Sequence, residues 1–134
     1  MVKITTQPLS PEAIVNQTKT TDSGCVVTYV GLIRDNSMGK QVLSVEYSDP
    51  QGKAEEGLQQ IVDAARQKWQ LNDMAIHHRI GKLNVGDINL VVAVAAGHRG
   101  EGFAACQYAI DQFKEKLPTH KRETYRDGSC LVAD

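Results

Sequence analysis

The sequence predicts an α+β domain in which helices pack on a mixed, largely antiparallel sheet. Short apolar or alternating runs fall between polar turns, as strands do. Two longer segments repeat their apolar residues at helical spacing. Strands and helices alternate irregularly, with short connections that suit hairpins, rather than in the strict order of a doubly wound parallel sheet. A length of 134 residues with 41% apolar content fits one domain, 1–134, around one real core.

Ser10-Pro11-Glu12 starts the first helix: a capping serine, a proline at the first helical position and an acid in the first turn. This helix reaches about Gln17, and Thr20 to Gly24 form a loop. Cys25 to Ile33 is a β-branched, apolar strand that ends in the polar loop 34–40. Val42 to Ser48 alternates in polarity and reads as a strand whose two faces the pattern leaves unassigned. Pro50 opens a helix to about Trp69, with Leu58, Ile61, Val62, Ala65 and Trp69 as its core stripe. Met74 to Ile80 is a strand, and residues 81–87 hold a short strand and a turn. Ile88 to Ala96 is the most apolar strand, predicted to be central. After the connection 97–102, a helix runs from about Gly102 to Lys116 with Phe103, Cys106, Ile110, Phe113 and Leu117 on one face. Pro118 stops it. Thr119 to Tyr125 suits a strand, 126–129 a turn, and Cys130 to Val132 a short returning strand.

Composition excludes several classes of function. Lys and Arg number 15 against 16 Asp and Glu, which argues against a general nucleic-acid binder, and aromatic nucleic-acid motifs are absent. There is no apolar run long enough for a membrane helix, and the N-terminus lacks the apolar core of a signal peptide. The expected location is therefore cytoplasmic. Cys25, Cys106 and Cys130 are odd in number and lack C-x-x-C spacing, so neither a disulfide framework nor a zinc site is expected. His77 and His78 are adjacent on a strand and point to opposite faces, which makes them poor joint ligands for one metal. No metal and no cofactor is expected.

In a near-neutral chain, a local group of cations carries information. His98 and Arg99 lie between the apolar strand and a helix N-terminus, where free N–H groups and the helix dipole favour anions. Arg99 can clamp a phosphate or carboxylate bidentately, and His98 can donate a hydrogen bond. A glycine-rich turn with a solvated arginine is the plainer alternative. Lys114 falls in the last turns of the helix, where a cation suits the dipole whatever its function. Lys121 lies beyond Pro118, where an ordinary strand surface is an equally simple reading.

Taken in order, several segments resemble one family. They are Gly24-Cys25-Val26-Val27-Thr28-Tyr29-Val30-Gly31-Leu32-Ile33-Arg34-Asp35, Leu43-Ser44-Val45-Glu46-Tyr47, the run from His78-Arg79-Ile80-Gly81 to Gly86-Asp87, Val91 to Arg99 with Phe103-Ala104-Ala105-Cys106, and finally Lys114, Pro118 and Lys121-Arg122-Glu123. Together they resemble the large, catalytic subunit of molybdopterin synthase, the MoaE family. The resemblance implies an α/β hammerhead-type fold and a homodimer within a heterotetramer. The partner it implies is a ubiquitin-like sulfur-carrier small subunit with a C-terminal Gly-Gly thiocarboxylate. The implied substrate is cyclic pyranopterin monophosphate, which receives two sulfurs to form the molybdopterin dithiolene. By position, the family's anion-binding residues match Arg34, His98 and Arg99, and its two important lysines match Lys114 and Lys121. No cysteine of this chain is required, because sulfur arrives on the partner's tail. The chain departs from the family at His120, where tryptophan is common, at Cys130-Leu131, where an aromatic is usual, and in having no arginine after Arg126. A carrier-binding module without turnover, or a sensor of a phosphorylated metabolite, are the alternatives these departures leave open.

Overall fold

The computed structural model describes residues 1–133. Two sheets and three helices make an α+β fold, as expected. The first sheet has the order β1-β5-β7-β2, formed by Val2–Thr5, Asp73–Arg79, Ile88–Ala96 and Cys25–Leu32. Only β1 and β5 run parallel in it. The second sheet has the order β3-β4-β8-β9, formed by Asn36–Ser37, Lys40–Ser48, His120–Tyr125 and Cys130–Ala133, and β6 (Gly81–Asn84) also pairs with β4. Its pairings are all antiparallel.

The apolar run Ile88–Ala96 is interior, as its composition predicts. From Leu90 to Ala96 every residue is buried, because the strand has neighbours on both edges and helices on both faces. One face packs on α2 (Ala54–Lys68) and α3 (Arg99–Glu115), through Leu58, Ile61, Val62 and Ala65 of α2 and Ala105, Cys106, Ala109 and Phe113 of α3. The other face takes Ile14 of α1 (Pro11–Thr18) against Ala75, Val91 and Ala93. Burying each such Leu or Ile stabilises the fold by roughly 1.5–3 kcal/mol. The Ser10 hydroxyl caps α1 by accepting from the Ala13 N–H at 3.2 Å, as the sequence predicts.

Three expectations need correction. The second helix begins at Ala54 and not at Pro50, because the Asp49 carboxylate accepts from the Lys53 and Ala54 N–H groups and residues 49–52 form a turn that closes on Gly52. The third begins at Arg99 rather than Gly102, and its buried stripe is rotated, so that Phe103 is 60% exposed while Gly102 and Ala105 face inward. Strand β1 has no counterpart among the predicted elements, and the two-residue β3 lies inside the predicted loop 34–40.

β5 and β6 are separated only by Ile80, so one length of chain belongs to both sheets. Gly81 makes the bend with φ of 94°, a conformation that favours glycine. Gly24 is constrained differently. A Cβ there would overlap the carbonyl oxygen of Gly97, whereas a Cβ on Gly97 would meet nothing within 4 Å. Gly24→Ala should therefore cost about 1–3 kcal/mol in urea unfolding, while Gly97→Ala should stay within about 0.5 kcal/mol of the parent.

Candidate active site

A cavity of about 610 Å³ opens where the two sheets meet the end of α3. Each wall comes from a different element. The end of β2 and the following loop bring Tyr29 and Arg34, β4 brings Tyr47, and the start of β7 brings Asn89. The last turn of α3 brings Lys114, and β8 brings Lys121 and Glu123. Three of the five residues singled out in the sequence thus share one cavity.

Lys121 and Glu123 alternate with Arg122 along β8, so period-two geometry puts both on the cavity face. The Lys121 Nζ lies 3.0 Å from the Glu123 Oε1. Glu123 is 8% exposed and also accepts a 2.7 Å hydrogen bond from the Tyr125 hydroxyl. Burial works against its ionisation, but hydrogen bonds from Tyr125, Lys121 and Ser37 outweigh it and hold the carboxyl below its usual range. The cavity thus contains a fixed carboxylate that orients Lys121. The two-residue spacing was visible in the sequence, but Glu123 read there only as part of an ordinary surface.

His98 and Arg99 do not line this cavity. They are exposed at the N-terminal end of α3, with His98 as the N-cap residue. Lys114 is in the last turn of the same helix. At 1.5 Å per residue, Arg99 and Lys114 are separated by about 22 Å along the axis, so one copy of the chain does not bring all five cations together.

Behind the cavity sits His78, fully buried. Its Nδ1 is 2.8 Å from the Asn89 carbonyl oxygen, and its Nε2 is 3.0 Å from Thr119 Oγ1. A carbonyl only accepts, so Nδ1 carries the proton and Nε2 accepts from the threonine hydroxyl. Burial pushes this imidazole down to about 4, against the opposing pull of the Asn89 carbonyl and the Asp49 charge. His77, on the opposite face, is also buried, and its Nε2 has no hydrogen-bond partner. Among the described residues, no group of three or more His, Cys, Asp or Glu side chains is placed to hold a metal ion. Among them, too, no helix is long and apolar enough to cross a membrane.

The cysteines differ in environment. Burial pushes the Cys106 thiol up to about 11. Cys25 is half-buried against the Ala96 carbonyl. Cys130 is exposed, and its thiol is pulled down chiefly by the hydrogen bond from Arg122. Cys130 pairs with Thr124 across β8 and β9. It therefore shares a face with Arg122 and Thr124, opposite the face that presents Lys121.

An α+β protein whose cavity at a sheet junction is lined by an arginine, two lysines and a buried carboxylate has the charges to hold an anionic group. Comparison with known proteins narrows the class. Residues 4–116 match the family model described as MoaE protein, and the chain belongs to that family. It is 42% identical over 127 residues to the molybdopterin synthase catalytic subunit of a Nostoc species, covering 94% of this chain and 77% of that one. It is 33% identical over 128 residues to the protein of the same name from Thermoplasma volcanium, covering 96% and 93%. The crystal structure of molybdopterin synthase from Staphylococcus aureus superposes with a TM-score of 0.89 at 32% identity, over 98% of this chain and 95% of that one. A Helicobacter pylori structure, described as a complex of subunits 1 and 2 of molybdopterin-converting factor, shares the fold with a TM-score of 0.75 at 13% identity, over 99% and 90%.

The buried His78 predicts a pH effect of definite sign. Between pH 6.5 and about 4 the unfolded chain takes up a proton that the folded chain refuses. This contribution is fully present above pH 6.5 and falls by up to about 3 kcal/mol as the pH drops through that window. In urea titrations, His78→Asn should show a smaller loss of stability between pH 6.5 and 4 than the parent does.

Proposed function

We propose that this chain is the catalytic subunit of a molybdopterin synthase. In this reading it transfers sulfur from a thiocarboxylated ubiquitin-like small subunit to cyclic pyranopterin monophosphate, forming the molybdopterin dithiolene. The observation that carries it is the convergence of Arg34, Lys114 and Lys121 on one cavity, in a chain of this family. Both reactants are anionic, one a phosphate ester and the other a thiocarboxylate. Preorganised cations at a partly enclosed site hold such groups and stabilise the oxyanion that develops when the acyl carbon is attacked. Arg34 serves as the anion-binding residue, and Lys121 and Lys114 assist addition and elimination at the pterin carbons. Glu123 keeps Lys121 oriented toward the reacting atoms.

His98 and Arg99 have a place in this scheme only through a second copy of the chain. The length of α3 separates them from Lys114 by about 22 Å. In a homodimer, the N-terminal end of one α3 would complete the cavity at the C-terminal end of the other. The carrier subunit would bring its Gly-Gly tail to the same cavity, giving the heterotetramer. The cysteines are given no part in the transfer: Cys106 is buried, Cys25 is half-buried against the Ala96 carbonyl, and Cys130 is on the sheet face opposite Lys121.

Purified chain mixed with thiocarboxylated small subunit and cyclic pyranopterin monophosphate should yield molybdopterin. Lys121→Ala should lower turnover by about two orders of magnitude or more, with carrier binding retained; full turnover by that variant would sink the role given to Lys121. Replacing Cys25, Cys106 and Cys130 together with alanine should leave transfer intact in folded protein. The two-copy cavity has its own readout. Inactive Lys121→Ala and inactive Arg99→Ala chains, co-refolded, should regain part of the parent rate, because a mixed dimer has one cavity with both residues intact. Absence of any recovery in a verified mixed dimer would rule out sharing.

A further inference from the structure

Tyr47 stands directly opposite Lys121 across β4 and β8. Directly paired residues rise from the same face of a sheet, with Cβ atoms about 5 Å apart, and both side chains line the cavity. The Tyr47 hydroxyl accepts a 3.1 Å hydrogen bond from the Asn89 side-chain amide. That bond uses a lone pair of the phenol and not its proton. Among the described residues, no acceptor for that proton is found. The ring is 5% exposed and is held edge-on by the His78 imidazole, with centroids 4.8 Å apart. His78 in turn grips the backbone carbonyl of Asn89, the residue whose side chain points the hydroxyl. A buried phenol fixed on two sides, with no acceptor for its proton among the described residues and a lysine beside it, is suited to donate to an anionic oxygen.

We propose that Tyr47 is a further hydrogen-bonding group of the reaction site, beside Arg34, Lys114 and Lys121, donating its phenolic proton to an anionic substrate oxygen next to Lys121, with Asn89 and His78 as its positioning residues. The inference rests on the synthase reading above and extends it: Tyr47 lies in one of the segments that resemble the family, but neither Tyr47 nor Asn89 is among the site residues matched by that resemblance. Burial holds the phenol in its protonated form beyond its ordinary range, against the Lys121 charge, which keeps the donor available through neutral pH.

The test is Tyr47→Phe, which removes one oxygen and keeps the ring against His78. Parent and variant are compared with thiocarboxylated small subunit and cyclic pyranopterin monophosphate, each varied in turn. The variant should melt close to the parent and bind the carrier equally well, yet form molybdopterin at least about ten-fold more slowly. A loss confined to KM for the pterin would identify the phosphate or another pterin oxygen as the acceptor. A loss in kcat would identify the oxyanion formed at the carrier's acyl carbon. Parent-like rates in the variant would overturn the proposal. No product from the parent would instead sink the synthase reading. If Tyr47→Phe fails to fold, difluorotyrosine at position 47 keeps the shape and acidifies the phenol. The alkaline limb of the rate profile should then move to lower pH, and an unmoved limb would overturn the proposal.

Discussion

The His78 imidazole is the point on which the two sheets, the third helix and the cavity all depend. It stands on β5 of the first sheet and binds β7 through the Asn89 carbonyl. Through Thr119 it binds the segment that leads into β8, two residues before Lys121. Its ring meets Tyr47 of β4 and Phe113 of α3 edge-on, at 4.8 and 5.0 Å. Phe113 immediately precedes Lys114. One side chain thus fixes the supports of both lysines and one wall of the cavity between them. An apolar replacement would leave the Asn89 carbonyl and the Thr119 hydroxyl without this partner in the interior, at a cost of about 1–3 kcal/mol for each buried polar group. The neutral tautomer satisfies both at once, and this arrangement suits a deeply buried histidine held far below its ordinary pKa.

Around that centre the cavity is polar in a particular order. The carboxylate of Glu123 is buried, supported by Tyr125, and holds Lys121 at 3.0 Å. Lys114 and Arg34 are exposed and stand at the mouth. An entering anion would meet the solvated cations first and the oriented one last. In the proposed reading, such a gradient would capture a charged group by long-range attraction and deliver it to the oriented lysine.

Much of this was legible in the sequence, and the misses have physical causes. The apolar run Ile88–Ala96 identified the interior strand because a strand covered on both faces needs no polar residues. Lys114 and Lys121 were located on the right elements because Pro118 marks the helix end between them. Val2–Thr5 was missed because four residues carry little periodic signal and its pairing with β5 is more than seventy residues away. The start of α3 is displaced because the glycine-rich stretch 97–102 reads as a turn between strand and helix. Gly102 is there for space, since a Cβ would lie 2.9 Å from Val27 Cγ2, and the same close approach turns Phe103 outward. Tyr47 and Asn89 were invisible as a pair, because a hydrogen bond spanning 42 residues leaves no local pattern. The predicted helix from about Gly102 to Lys116 already sets most of the distance between His98-Arg99 and Lys114. Charge clustering along the sequence hid it, since a helix carries its two ends apart.

The strand shared by both sheets has a thermodynamic consequence. Because β5 runs through Ile80 and the Gly81 bend into β6, the sheets cannot swing apart without breaking ladder hydrogen bonds to β7 or to β4. The walls they supply are therefore set before any ligand arrives. In the proposed complex, the ordering entropy would fall on the incoming tail rather than on this protein, and affinity would depend on how stiff that tail already is.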